Sequence, residues 1–469
     1  MTFSEQSPEE EAGPPTEPAG LAEVARDGAS SSRQVLGLAW PVFVENLLQT
    51  MVGTVDTLMV SVIGTVALAG VGTSVVLIWV IQSSIMAVAM GGSVLVAHAV
   101  GAHDESLIGR SAKQTVLLGL ILSLVLTVVG SLFAEQSVAL LGPEEEVLRI
   151  GTDYMLVTMA TSVSLVTMFV TGGILRGAGD TRTPMYAGVV MNVINVPLSF
   201  VLIFGAVGFP ELGPVGSAWG AAIARFVGAA GLLYMLFRGN RVVSISGREH
   251  WRLGIDVVRR ILRIGIPAML EQLLLSMSML VFTAMVISLG TAVYAAQRIT
   301  FQILSLGWMP GFAFAVAATT LTGQALGGGR PQDAVRATWI ASAYAVFFMT
   351  LFAAVVFLLH EPVAGIYTDD LRIVALAGEA MRVLAIAFPL FAVNIVLQGG
   401  LRGAGDTRFP MVLTGVSSWL IRLPTAWYIG VHLEYGLTGM YWTFLVETMV
   451  RLVVILWRYQ AGRWKKIVV

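Results

Sequence analysis

One heptapeptide occurs twice. Leu175-Arg176-Gly177-Ala178-Gly179-Asp180-Thr181 returns as Leu401-Arg402-Gly403-Ala404-Gly405-Asp406-Thr407, and Gly177 and Gly403 stand 226 residues apart (403 − 177). The same offset carries Pro41 to Pro267, Glu45 to Glu271, Gly64-Thr65 to Gly290-Thr291, Gly101 to Gly327 and Pro184 to Pro410. One offset held over so much chain means two copies of one architecture. The fold must therefore be one that can be built twice and joined. Duplication in a very apolar chain points to membrane transport.

The 469 residues are 56% hydrophobic and only 12% charged. A soluble domain carries about 25% charged residues. Cysteine is absent, which removes disulfides, thiolate metal sites and cysteine nucleophiles. Residues 1–32 differ from the rest. They hold seven acids against the single base Arg26, and they include Pro8, Pro14, Pro15 and Pro18. This composition predicts a disordered acidic tail. It lacks the basic start and apolar core of a signal peptide.

An apolar stretch of about 20 residues crosses a bilayer as a helix. Polar breaks delimit twelve such stretches, roughly 35–62, 67–99, 110–133, 147–172, 184–206, 214–238, 260–288, 292–325, 335–360, 371–398, 408–430 and 436–459. The expected fold is an all-α polytopic membrane protein with twelve transmembrane helices in two six-helix repeats. An N-lobe covers 33–238, a linker 239–259, a C-lobe 260–459 and a basic tail 460–469. Twenty Lys and Arg residues fall on the side of the two termini, and only Arg149 and Arg372 on the other. The positive-inside rule then places both termini in the cytoplasm, with the chain in the cell (inner) membrane. Six spans per copy is an even number, so both copies enter the membrane from the same side. A pseudo-twofold axis along the membrane normal should relate them, with a central cavity between the lobes.

A charge inside the bilayer is costly and normally faces a cavity or a partner. Span 1 holds Glu45, Gln49 and Asp56. At about 100° per residue the three share one stripe, with Asp56 roughly 16 Å along the axis from Glu45. Pro41, one turn before Glu45, can bend the helix. A carboxylate in such a stripe can exchange a proton for a cation, or it can simply hold two helices together. Span 5 offers Asn192, Asn195 and Ser199 on one face, and span 4 offers the hydroxyl of Tyr154. In the second copy Glu45 maps to Glu271, but Gln49 maps to Leu275 and Asp56 to Phe282. Ion coupling is therefore expected in the first lobe, with Glu271 as a second-lobe candidate. Arg225, Arg298, Arg382, Glu379, Arg422, Glu447 and Arg451 are read as structural. His98, which maps to Gln324, reads as a packing or capping residue, because no other histidine or acid is spaced to complete a metal site with it. The glycines of the heptapeptide suit a tight loop in which Asp or Thr can cap the next helix.

Several of these features together resemble the MATE (multidrug and toxic compound extrusion) transporters. They are the twelve spans in two repeats, Pro41, Gln49 and Val55-Asp56-Thr57 in span 1, the doubled heptapeptide, and Asn195 before Leu202-Ile203-Phe204-Gly205. Gly323-Gln324 with Gly327, and Trp419, Arg422 and Pro424, complete the set. The resemblance covers about residues 33–460. It implies an antiporter that exports organic cations in exchange for H+ or Na+ as its lobes rock around a central site. It makes Asp56 the main coupling carboxylate, with Gln49, Tyr154 and Asn195 as neighbours and Pro41 as the site of a bend. Ser199 and Gly172 stand where archaeal-type members have an acid and an asparagine. The span-10 acid of the sodium-coupled branch has no counterpart among Phe391, Asn394 and Gln398. With fewer acids to hold sodium, H+ is the preferred coupling ion. No other cofactor, no metal and no nucleic acid is expected, and the protein is expected to act as a monomer among membrane lipids.

Two other classes compete. A lipid-linked precursor flippase of the same superfamily would want a basic cavity, for which Arg298, Arg382 and Arg422 are candidates. A membrane-embedded enzyme would need a nucleophile–base pair or a metal cluster. The spans contain no Cys, no His-rich cluster and no paired acids beside a Ser or His, so no catalytic residue is assigned.

Overall fold

The computed structural model describes residues 21–239, 243–246, 251–467 and 469, with side chains from Ser31 onward. Residues 1–20 of the expected acidic tail, residues 240–242 and 247–250 of the expected linker, and Val468 lie outside the described residues. Among the described residues there is helix and turn but no strand.

Eight helices build the first copy: α1 (Leu21–Ile63), α2 (Thr65–Gly101), α3 (Glu105–Leu132), α4 (Ala134–Ala139), α5 (Glu145–Ala160), α6 (Ser162–Gly177), α7 (Arg182–Phe204) and α8 (Pro214–Arg238). The second copy contains α9 (Ile255–Ser288), α10 (Thr291–Gly327), α11 (Pro331–Leu358), α12 (His360–Gly365), α13 (Leu371–Gly403), α14 (Arg408–Val416), α15 (Leu423–Ala426) and α16 (Gly436–Gln460). Ten of these are single helices long and apolar enough to cross a membrane. The expected span 4 is the pair α5 and α6, and the expected span 11 is the run 408–432. The short helices α4 and α12 follow α3 and α11 in equivalent places.

Two helix starts and the course of two spans differ from expectation. Helix α1 starts at Leu21, inside the segment expected to be disordered to residue 32. The last proline is Pro18, and the residues after Gly20 are mostly good helix formers. Helix α9 starts at Ile255, so the linker ends five residues before its expected limit. Span 4 is bent by 54° at Thr161, whose hydroxyl donates to the Val157 carbonyl at 2.7 Å. Such back-bonding bends helices. Span 11 alternates α and π turns, with π geometry over Ser417–Arg422 and Trp427–His432. Pro424 cannot donate to the carbonyl four residues back, and a wider turn relieves that clash.

The turns between the first two long helices of each copy match. Gly64 and Gly290 sit before α2 and α10 at φ +146° and +113°, a region that favours glycine. Outside the spans, Asp104 caps α3: its Oδ1 accepts from the Leu107 N–H at 3.0 Å and the Ser106 hydroxyl at 2.8 Å. These bonds hold its carboxyl below the usual aspartate range.

The lobes meet along α1, α2, α9 and α10 at the end of the bundle that carries the arginines. Val35, Leu38, Ala39 and Val42 of α1 are buried in the second lobe's core. A Cβ at Gly101 would collide with the Gln324 carbonyl oxygen, and one at Gly327 with that of His98. Side chains cross the seam as well: the His98 ring reaches the Gly403 carbonyl at 2.8 Å, and Gln324 donates to Gly177 O at 3.1 Å. Each contact and its 226-residue counterpart are reciprocal, which is the signature of a twofold relation. On its far half α1 keeps one side on the first lobe, where Val60 is buried, and leaves Met51, Leu58 and Val62 exposed. The lobes thus close at the basic end.

Replacing Gly101 or Gly327 by Ala should drive a methyl into the partner backbone and cost about 1–3 kcal/mol. Thermal unfolding of the purified variants checks this. Unchanged midpoints for both would contradict a glycine-dependent seam.

Candidate functional site

The heptapeptide acts through its arginine first. Arg176, at the end of α6, donates to both oxygens of Glu45 in α1 at 3.0 and 3.2 Å. Arg402, at the end of α13, donates to Glu271 in α9 at 2.8 Å. Each repeated glutamate is therefore the partner of a repeated arginine, and both acids are buried, with 6% and 1% of their surface exposed. The next glycine lets backbones touch. A Cβ at Gly177 would strike Ser93 O, and one at Gly403 would strike Thr319 O. The aspartates then diverge. Asp180 caps α7 through the N–H groups of Arg182 and Thr183 at 3.1 and 3.0 Å, whereas Asp406 takes Arg458 at 2.7 Å.

Asp56 stands apart from this scaffold. Its half-buried carboxyl faces Asn195 and Ser199 on α7 and lies in the field of Arg225 on α8. Tyr154 on α5 is buried beside the same Asp56 and Arg225, within reach of the Ser217 hydroxyl. Asn195 donates to the Ser199 hydroxyl at 3.2 Å. Two oxygens in this cluster are buried and accept no hydrogen bond, Asp56 Oδ1 and Asn195 Oδ1. A buried acceptor without a donor is costly, and it is satisfied when the group takes up a proton or holds a cation. Gly220 makes room here, since a Cβ at that position would collide with the Ser199 hydroxyl.

The structure brings together Asp56, Asn195, Ser199 and Tyr154 and leaves three other candidates outside. Glu45 is engaged by Arg176. Gln49 is exposed on α1. Asn192 donates back to its own helix at Gly188 O, 2.7 Å away. Pro41 is buried in α1, which stays helical through it. Glu271 is held by Arg402 and by the Thr414 hydroxyl at 3.1 Å. Arg225, expected to be structural, lies near Asp56. Its signal was present, because Arg225 maps to Arg451 at the same offset of 226 (451 − 225).

The second lobe uses Arg451 differently. Glu447 lies 3.5 Å from both Arg451 and Arg422 and accepts from Ser417 and Ser418, each at 3.0 Å. Arg422 also donates to Ser278, and Arg451 to Thr414 at 2.8 Å. Phe282, the counterpart of Asp56, is buried.

The MatE family model matches this chain twice, over residues 41–201 and 267–428, in register with the 226-residue repeat. A probable multidrug resistance protein NorM of Thermotoga maritima is 31% identical over 92% of this chain and 93% of its own length. An uncharacterized transporter, YisQ, of Bacillus subtilis is 26% identical over 93% of this chain and 96% of its own. Among solved structures, the outward-facing conformation of a multidrug resistance MATE family transporter superposes with a TM-score of 0.86 at 25% identity. It covers 93% of this chain and 97% of that one.

Arg402→Ala should leave Glu271 buried without its cation and cost about 3–5 kcal/mol. Arg176→Ala should cost less, because Glu45 is the less buried acid. Comparing the melting temperatures of the two variants tests the order. Equal and negligible losses would show that neither pair holds its lobe.

Proposed function

The chain belongs to the MatE family, so it is a multi-pass membrane transporter and not an enzyme, and on that premise we propose that it exports organic cations, drugs among them, in exchange for protons. The observation that supports this most directly is the pair of unpartnered buried oxygens on Asp56 and Asn195. A proton on Asp56 would turn an acceptor into a donor for Asn195. A sodium ion in the same place would meet the nearby Arg225 guanidinium, and two cations in a weakly screened interior repel each other. For this reason protons rank ahead of sodium as the coupling ion.

Exchange at Asp56 would work as follows. With Asp56 ionised, the region between the lobes carries a negative group that an organic cation can neutralise. Protonation removes that charge and releases the cation. Pro41 has no N–H for the Gly37 carbonyl, so α1 can bend there. The Glu45–Arg176 pair, one turn later, would carry such a bend to α6. With its basic end in the cytoplasm, the described arrangement would be closed inside and open outside. Inward opening would require the glycine-lined seam to part.

A second reading rests on the second lobe, where Arg402, Arg422 and Arg451 outnumber Glu271 and Glu447. That excess of positive charge would suit the phosphate of a lipid-linked precursor, and a flippase would move labelled precursor without cation efflux.

Ethidium efflux from proteoliposomes, under separately imposed proton and sodium gradients, distinguishes these readings. Efflux driven by the proton gradient alone is the expected result, and no efflux under either gradient would count against an ethidium antiporter. Asp56→Asn should fold with a wild-type melting temperature and lose coupled efflux. Wild-type efflux by that variant would remove Asp56 from the coupling step.

A further inference from the structure

At the basic end, the first helix of each copy starts on the opposite lobe. The start of α1 is buried in the second lobe's core through Val35, Leu38, Ala39 and Val42. The start of α9 lies on the first lobe in the same way. A Cβ at Gly91 of α2 would strike the Ile261 carbonyl oxygen, and one at Gly265 of α9 would strike that of Ala87. Asp256 pairs with Arg110 of α3 at 2.8 Å, and the Gly254 N–H donates to Gln114 of α3 at 2.9 Å. The start of α9 is thus fastened to α2 and α3, and the seam separates this group from the rest of the second lobe.

The segment that follows α16 crosses that seam. The chain turns at Gly462, where φ is +67°, and makes one 3-10 turn over Arg463–Lys466. Trp464 anchors it in the second lobe. This side chain is fully buried with Leu397, Leu401, Ala404 and Tyr459. Its indole N–H donates to the Tyr459 carbonyl at 2.9 Å, and its ring stacks on that of Tyr459 with centroids 4.8 Å apart. Five residues later (469 − 464) the chain has reached the other side. Val469 packs onto the cluster that Leu95 of α2 forms with Val257 and Ile261 of α9, and its main-chain oxygen accepts from Arg260 of α9 at 3.4 Å. The same side chain lies against Gly405 of the second heptapeptide loop, where a Cβ would collide with it. Gly403, two residues earlier in that loop, accepts the seam bond from His98.

One side chain therefore touches both faces of the seam. When the faces separate, Val469 has to leave one of them, and part of its apolar surface returns to water. Trp464 does not follow, because its own lobe encloses it. We infer that Trp464 and Val469 form a latch across the seam, which holds the lobes together at the basic end and must release Val469 before they can part there. The inference rests on the rocking of the lobes proposed above, and it is independent of the cargo and of the coupling ion.

The chain contains no cysteine, so one introduced thiol reports alone. Ala97→Cys places it on α2 against Gly323 of α10, inside the seam. Ala377→Cys places it beside Thr300, within the second lobe. Each is labelled with a soluble maleimide in nanodiscs, with and without Val469→Gly. The added substitution should speed labelling of Ala97→Cys about fivefold and leave Ala377→Cys unchanged, whereas Val469→Ile should change neither. Equal rates at Ala97→Cys with and without Val469→Gly overturn the latch, and so does the same acceleration at both thiols, which would mean general loosening. No labelling of Ala97→Cys in either background also overturns it, and would show that the lobes do not part at this end. Faster labelling in a protein whose proteoliposomes fail to export ethidium would sink the export reading and leave the latch standing.

Discussion

A carboxylate buried among apolar helices has to be matched by a cation in direct contact or give up its charge to a proton, because an ionised group with neither water nor partner is costly. This chain meets that requirement in the same way in both lobes. Glu45 takes Arg176 and Glu271 takes Arg402, each across 131 residues of sequence. Each pair ties the first long helix of a lobe to the helix that ends in the heptapeptide. The repeated glycines let that helix lie against a neighbouring backbone, and the seam between the lobes is drawn from the same few residues. His98 binds the carbonyl of Gly403, and Gln324 binds that of Gly177. The motif therefore secures both the interior of each lobe and the contact between them.

On this common scaffold the two interiors carry different chemistry. Glu447 in the second lobe is surrounded by two serine hydroxyls and two guanidinium groups. Asp56 in the first lobe faces two neutral side chains and a more distant arginine, with one oxygen unpartnered. Glu447 thus has two guanidinium groups at ion-pair distance, whereas Asp56 has only one arginine, further away. The duplication preserved the arginine, as Arg225 and Arg451, while the acid moved from α1 in one copy to α16 in the other.

The features readable in the sequence depended on periodicity or on repetition. Apolar runs bounded by polar breaks give helices wherever a bilayer excludes water, since no other open structure satisfies the backbone there. The twelve expected stretches accordingly correspond to helical segments, to within about five residues except at the start of α1, which begins at Leu21. Departures occurred where a local hydrogen bond or a proline altered a turn without altering hydropathy, at Thr161 and near Pro424. The stripe of Glu45, Gln49 and Asp56 was sound as geometry along one helix, but it said nothing of what approached that helix. Asn192 and Asn195 look alike on one face of α7, yet one turns back to its own backbone and the other meets Ser199.

By itself, then, the sequence determined an all-helical, duplicated membrane protein with a basic end and a small set of intramembrane polar residues. These follow from spacing and composition, which act locally and add along the chain. Only the tertiary structure decided which of those residues share a site. Arg176 claims Glu45 because α6 ends beside α1. Arg225 joins Asp56 because α8 packs on α7 through Gly220. Pairing of charges depends on which helices touch, and that is settled by packing between segments far apart in sequence.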